Sequence, residues 1–411
     1  MATERESDER LWQFTPIDQY SVPASAMGTG AVRKSVSGFF RNMFRRPPKT
    51  ESPLDPDIQL RSLSDDRLEP AIPDFSWEEA AATLDETLRP WLNTRNPIKP
   101  VVFYVAPPYA GREQILDAWS HTSNAARIVP PDRYSVCSGI GDWVESWPQN
   151  SLWVLPCLEE CFLREASGLD SVRELLSRML SGELGQGIVG CDSWAWEFLR
   201  RVWPGRPSYT VSAQGFDGTR LQAIFHAAVS RVEGHPAQFR STTDGADILP
   251  RESHVPQNDK TPQYWKALAA ACRGNIGVAS AWWERSLRMV PEEESQTDDE
   301  SASPAPSPAP PGQSSTVWVQ PVSALEPPSV PPEAGQTSHF VLHSLLVHGG
   351  LDSDTLARVL PGDRAAITEA LLFLREAGLV ERQDAVWRVA AFAYPAVRSF
   401  LATNEYLCDA F

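Results

Sequence analysis

The residues from Val101 to Glu113, Val-Val-Phe-Tyr-Val-Ala-Pro-Pro-Tyr-Ala-Gly-Arg-Glu, have the layout of a phosphate-cradling loop without the groups that cradle phosphate. Five β-favouring residues enter a loop, and Gln114-Ile115-Leu116-Asp117-Ala118-Trp119 continues it as a helix-like segment. The consensus for such a loop is G-x-x-x-x-G-K-[ST]: backbone amides line the phosphates, the lysine neutralises them and the hydroxyl binds Mg²⁺. Aligned on Gly111, the first glycine is Ala106, the lysine is Arg112 and the hydroxyl is Glu113. A carboxylate at that last position repels the group the loop is built to hold.

The elements that must position this loop are legible between residues 76 and 215. Ser76 followed by Glu79 forms a capping box that opens a helix. Core strands are expected at 101–105, 152–155, 187–191 and 208–211, with amphipathic helices between them, notably Val172 to Leu180. Strands alternating with helices imply a parallel sheet covered on both faces.

The chain of 411 residues, 42% hydrophobic, is long enough for two or three domains. A formal net charge of −16 argues against a protein that coats nucleic acid. Cys137, Cys157, Cys161, Cys191, Cys272 and Cys408 show no C-x-x-C pairing, so reduced thiols are expected and no metal site. No signal-type segment and no apolar run of about 18 residues is seen, so a cytoplasmic protein is expected.

Residues 1–75 read as mostly irregular, with one exception. Val32, Val36, Phe39, Phe40, Met43 and Phe44 form one face of a helix over 31–46, and Arg33, Lys34, Arg41, Arg45 and Arg46 make it basic. In an acidic chain this segment is expected to bind a protein partner or to lie peripherally on an anionic membrane surface. Residues 259–290 read as a small helical unit. Residues 291–338 read as an acidic and proline-rich linker, with Thr316-Val317-Trp318-Val319 as a strand-like island able to dock on the sheet. Residues 339–411 read as three helices and a hairpin, a winged helix. His339, His343 and His348 are expected on helix surfaces, while Trp194, Trp196, Trp282 and Trp283 are expected in the core.

Taken together, residues 76–411 resemble an AAA+ or STAND-type P-loop ATPase: an α/β domain over 76–258, a helical lid over 259–290 and a C-terminal winged helix. Besides the loop, Ser151 to Glu159 stands where this family carries an acidic pair after a strand, and here that pair is Pro156-Cys157. Glu159 and Glu160 come two or three residues late. Gly274-Asn275-Ile276-Gly277 is similar to the turn that opens the family's lid. The resemblance implies a polar sensor near Asp192 and a phosphate-sensing arginine at Arg285 or Arg288.

With lysine, hydroxyl and acidic pair all replaced, ATP turnover is not expected. The leading expectation is an inactive ATPase-like scaffold or regulator. No cofactor is expected, although ATP or ADP bound through Arg112 without hydrolysis defines an alternative nucleotide switch. A DNA-binding regulator is a third reading. Residues 339–411 hold nine acids and six bases, so protein is favoured over nucleic acid as the partner.

Overall fold

The computed structural model describes residues 10–23, 60–94, 97–148, 151–203, 205, 209–236, 238–250, 261–290 and 316–411. The basic segment 31–46, the acidic run at 292–300 and the prolines from 304 to 311 lie outside these residues.

In chain order the strands are β1 (Phe14–Pro16), β2 (Arg61–Ser62), β3 (Val101–Ala106), β4 (Ala126–Arg127), β5 (Trp153–Leu155), β6 (Gly187–Asp192), β7 (Thr210–Ala213), β8 (Gln238–Ser241), β9 (Leu287–Met289), β10 (Thr316–Val319), β11 (Val380–Gln383) and β12 (Val386–Val389). The main helices are α1 (Trp77–Leu92), α2 (Arg112–Thr122), α3 (Ala166–Ser181), α4 (Ser193–Val202), α5 (Gly218–Arg231), α6 (Gln263–Ala271), α7 (Ile276–Ser286), α8 (Gln336–Val347), α9 (Ser353–Val359), α10 (Arg364–Glu376) and α11 (Tyr394–Thr403).

The central sheet has the order β1-β7-β3-β6-β5-β4. Its strands run parallel except β1, which lies antiparallel on β7. All six residues of β3 are buried. Successive side chains of a strand point to opposite faces, so both faces are covered. The register sets Ala106 beside Asp192. The chain leaves β3 towards β4 at one edge of the sheet, whereas it leaves β6 back across β3 towards β7, so the crossovers diverge between β3 and β6. The crevice beyond their carboxyl ends is where open α/β sheets bind ligands.

Two stretches differ most from the expectation of irregular chain, and residues 60–75 also take part through β2 and the buried Ala71. Residues 10–23 are part of the core: Trp12 is 3% exposed, and its ring lies 5.0 Å from that of Phe216 and 5.9 Å from that of Trp77. Phe14 packs 5.5 Å from Tyr104 on β3. Three residues are too few for a period-two pattern, which hides such a strand from a sequence reading. The second stretch is the later half of the expected linker. Strand β10 does dock, but on a second sheet of order β2-β9-β10-β8 and not on the central one. It runs parallel to β8 and antiparallel to β9.

Helices α6 and α7 form the lid. Helices α8 to α10, the β11–β12 hairpin and α11 form the winged helix. The fold is thus a P-loop NTPase-like α/β sheet with helices on both faces, a helical lid and a C-terminal winged-helix domain. The winged helix packs on the α/β domain through polar contacts. Arg133 donates to the His348 carbonyl at 2.8 Å, and the Trp194 indole donates to the Tyr394 hydroxyl at 3.0 Å. His343 and His348 are buried in this seam, against the surface positions expected for them. Burial, with the nearby Arg164, holds His343 down at about 4. The four tryptophans expected in the core are all buried.

Trp12→Ala removes a ring from this core and is expected to cost about 3–5 kcal/mol of unfolding free energy. Urea denaturation checks it, and a loss under about 1 kcal/mol would place residues 10–23 outside the cooperative unit.

Candidate functional site

The loop between β3 and α2 keeps the frame of a phosphate cradle. Strand β3 ends at Ala106 and helix α2 begins at Arg112. Tyr109 and Gly111 both take positive φ, 68° and 77°. Gly111 is required twice over, since its conformation is left-handed and a Cβ there would enter the Trp77 ring. Trp77 is the first residue of α1, placed there by Ser76, whose hydroxyl accepts from the Glu79 amide at 3.4 Å. The chain therefore spends two elements on shaping this loop.

Its chemistry is turned inward. Arg112 is 8% exposed and points under the loop towards the end of β5. Its Nε donates to the Pro156 carbonyl at 3.1 Å, and its Nη2 forms an ion pair with Glu159. Glu159 is 3% exposed, and its other oxygen accepts from the Asp192 amide at 3.0 Å. The carboxylate that the sequence places too late is returned by a 3₁₀ turn, Leu158–Glu160. It arrives as the partner of Arg112.

Electrostatics follow from this pairing. Burial lowers the affinity of Arg112 for its proton, but Glu159, joined by Cys157, Asp192 and Cys191, outweighs it and the guanidinium stays firmly charged. Asp192 caps α4 by accepting from the Trp194 amide at 2.9 Å. Burial first, and Glu159 second, push its carboxyl well above the ordinary range. Burial also drives the Cys157 thiol up. Glu113, Cys157 and Glu159 offer ligand atoms within 4.8 Å of one another. A divalent cation does not fit them, because the Arg112 Nη2 is bonded to Glu159 and sits 3.6 Å from the Cys157 sulfur.

The lid and the winged helix complete a cleft of about 470 Å³ around the loop. Asn275 caps α7 and donates to the Pro108 carbonyl at 2.6 Å. Gly277 lies so close to the Tyr109 backbone that a Cβ would collide with it. The Tyr109 hydroxyl reaches the Val389 carbonyl in the wing. Gly349, Gly350 and Arg388 bring the winged helix to the cleft's other wall. Ala106 ends the strand beneath, and Gly111, Arg112, Glu113 and Asp192 line the cleft. Arg285 and Arg288 do not: the Arg285 guanidinium lies 5.2 Å from the Phe392 ring centroid, and Arg288 sits in β9. Trp77, Tyr109, Glu159 and Arg388 belong to the site although the sequence reading did not assign them there. Of these only Trp77 and Glu159 carry a local signal, in the capping box and in the acids after Pro156.

The ionisable side chains lining the cleft are Glu113, Glu159, Glu160 and Asp192 against Arg112 and Arg388. This is an acidic site whose central cation is already paired.

No protein-family profile matches the chain, and no curated protein matches it. Among solved structures it is similar to the crystal structure of Cdc6p from Pyrobaculum aerophilum, at 12% identity over 84% of this chain and 99% of that one, with a TM-score of 0.29. A likeness at that score carries no weight, and the class stated above rests on the chain's own strand order and domain succession.

Arg112→Met strands Glu159 in the interior and is expected to cost about 3–5 kcal/mol of stability. Adding Glu159→Gln should return most of it, so a double-mutant cycle by urea denaturation reads a strong coupling. Additive losses would show that the two side chains are held independently.

Proposed function

We propose that the chain is a catalytically silent ATPase-like protein that serves as a regulatory or scaffolding platform for a protein partner. One observation carries the reading: the only loop cation, Arg112, is buried and neutralised by Glu159. Phosphoryl transfer relies on positioning and charge stabilisation by a free cation, Mg²⁺ and its acidic ligand. Here the cation faces away from the loop, Glu113 stands at the hydroxyl position and Pro156-Cys157 stands at the acidic pair. A nucleotide switch would need Arg112 and a lid arginine, and the positions of Arg285 and Arg288 do not support it. On the winged helix, α10 exposes Arg364 and Arg375 beside Glu369 and Glu376, a balance that favours protein over DNA.

Calorimetric titration with ATP and ADP, with and without Mg²⁺, tests the reading. No saturable heat is expected up to about 1 mM ligand, a bound of roughly −4 kcal/mol, and phosphate release should stay at background. Micromolar binding, or release abolished by Arg112→Ala, would sink it.

The membrane side of the proposal rests on the sequence of 31–46 alone. Among the described residues no helix is long and apolar enough to cross a membrane. Two Phe-rich turns with several cations suit reversible surface binding. Excising residues 24–50, which spares Trp12 and β1, should abolish sedimentation with anionic vesicles while the melting temperature holds. Unchanged sedimentation would remove the membrane from the proposal.

A further inference from the structure

Residues 405–411 follow α11 without forming a helix or strand, yet Asp409 and Phe411 are each 6% exposed. They are held as a bound peptide is held, by side-chain anchors and not by a backbone ladder. Arg398 donates through Nε to the Asp409 carboxylate and through Nη2 to its carbonyl, both at 2.9 Å. The Ser193 hydroxyl donates to the same carboxylate at the start of α4. Two residues on, the Phe411 ring packs against Tyr20 with centroids 4.5 Å apart and planes tilted by 49°, and Arg273 donates to the Phe411 backbone oxygen at 2.9 Å. His343 meets the Leu407 carbonyl at 3.1 Å.

The seat is built from four parts of the molecule: the N-terminal strap (Tyr20), the α/β domain (Ser193), the lid turn (Arg273) and the winged helix (Arg398). Its floor is apolar, with Trp12, Phe216 and Cys272, and a void of about 30 Å³ remains there. On the outer side the seat opens into a groove of about 740 Å³ lined by Trp196, Trp203 and Arg200. Pro107 and Ala110 of the loop lie in its inner wall.

We propose that this seat is a recognition site for an extended protein segment carrying an acidic residue and, two positions on, a large aromatic one. Residues 405–411 are its resident ligand, and a partner bearing the same pair displaces them. Two guanidiniums fix the acid and the backbone, the Tyr20 wall selects the ring, and the outer groove receives the rest of the incoming chain. Displacement breaks no helix or sheet. It does remove the joint that ties strap, lid and winged helix together beside the loop. The site is independent of whether the cleft binds nucleotide.

The probe is a fluorescent peptide copying residues 404–411 with Cys408→Ser, titrated by anisotropy into the full chain. A tethered segment competes at an effective concentration on the order of millimolar, so the wild-type protein should bind the free peptide weakly. Phe411→Ala empties the ring seat of the resident segment and should tighten peptide binding at least about tenfold. Arg398→Gln in that background, or a peptide in which both the acid and the aromatic are alanine, should abolish it. Equal affinity for wild type and variant, or for intact and doubly substituted peptides, would overturn the proposal. Phe411→Leu is the milder second variant. If circular dichroism shows both variants unfolded, the proposal also falls, because a displaceable segment must leave the body intact.

Discussion

A guanidinium taken out of water must find an anion, and most of this molecule's centre is arranged around how Arg112 finds one. The loop delivers it beneath the sheet's end, where no solvent can neutralise it. In a working phosphate cradle the anion arrives with the ligand, so the empty site holds an unsatisfied cation. Here Glu159 arrives with the chain, and the Pro156 carbonyl and Asp192 amide complete the arrangement. On the reading proposed above the internal partner takes the ligand's place, because a buried charge that is already paired has little to gain from a new anion. Glu113 at the rim then adds repulsion where attraction was needed.

The neighbouring domains close on the loop that carries Arg112. In this chain Gly277 lies on Tyr109, and Asn275 is bonded to the Pro108 carbonyl. The winged helix follows the same logic, with Tyr109 reaching Val389 across the cleft and His348 buried behind it. Several polar groups at this seam find partners across it: Arg133 Nη2 a carbonyl, Arg164 both His343 and Ser344, Trp194 the Tyr394 hydroxyl. Such matching fixes one orientation of the domains more sharply than apolar contact would.

What could be read from the sequence was what local pattern controls. Strand β3 announces itself as an uninterrupted apolar run, and the winged helix as amphipathic helices before a hairpin. Glycine at 111 follows from the turn it must make. Less was legible wherever distance along the chain decides the outcome. Nothing near Arg112 reveals that its partner lies 47 positions away, and the proline between Leu155 and Glu159 argues against it. Only the 3₁₀ turn brings that carboxylate back. The histidines of α8 looked like surface residues because burial there comes from another domain. Strands of two or three residues, β1, β2 and β4, are too short to show periodicity and gain their identity from their neighbours.

The second sheet has a consequence for how the molecule tolerates change. Strands β9 and β10 are antiparallel neighbours although Met289 and Thr316 stand 27 positions apart. A connection of that length between adjacent strands has paid most of its closure entropy already, and doubling it again costs only about 0.6 kcal/mol. For a flexible connection between neighbouring strands, length is thus a weak lever on stability, and the pairing of β9 with β10 carries the burden. Trp318 and Arg288, facing each other in the ladder, keep the two ends in register whatever the chain does in between.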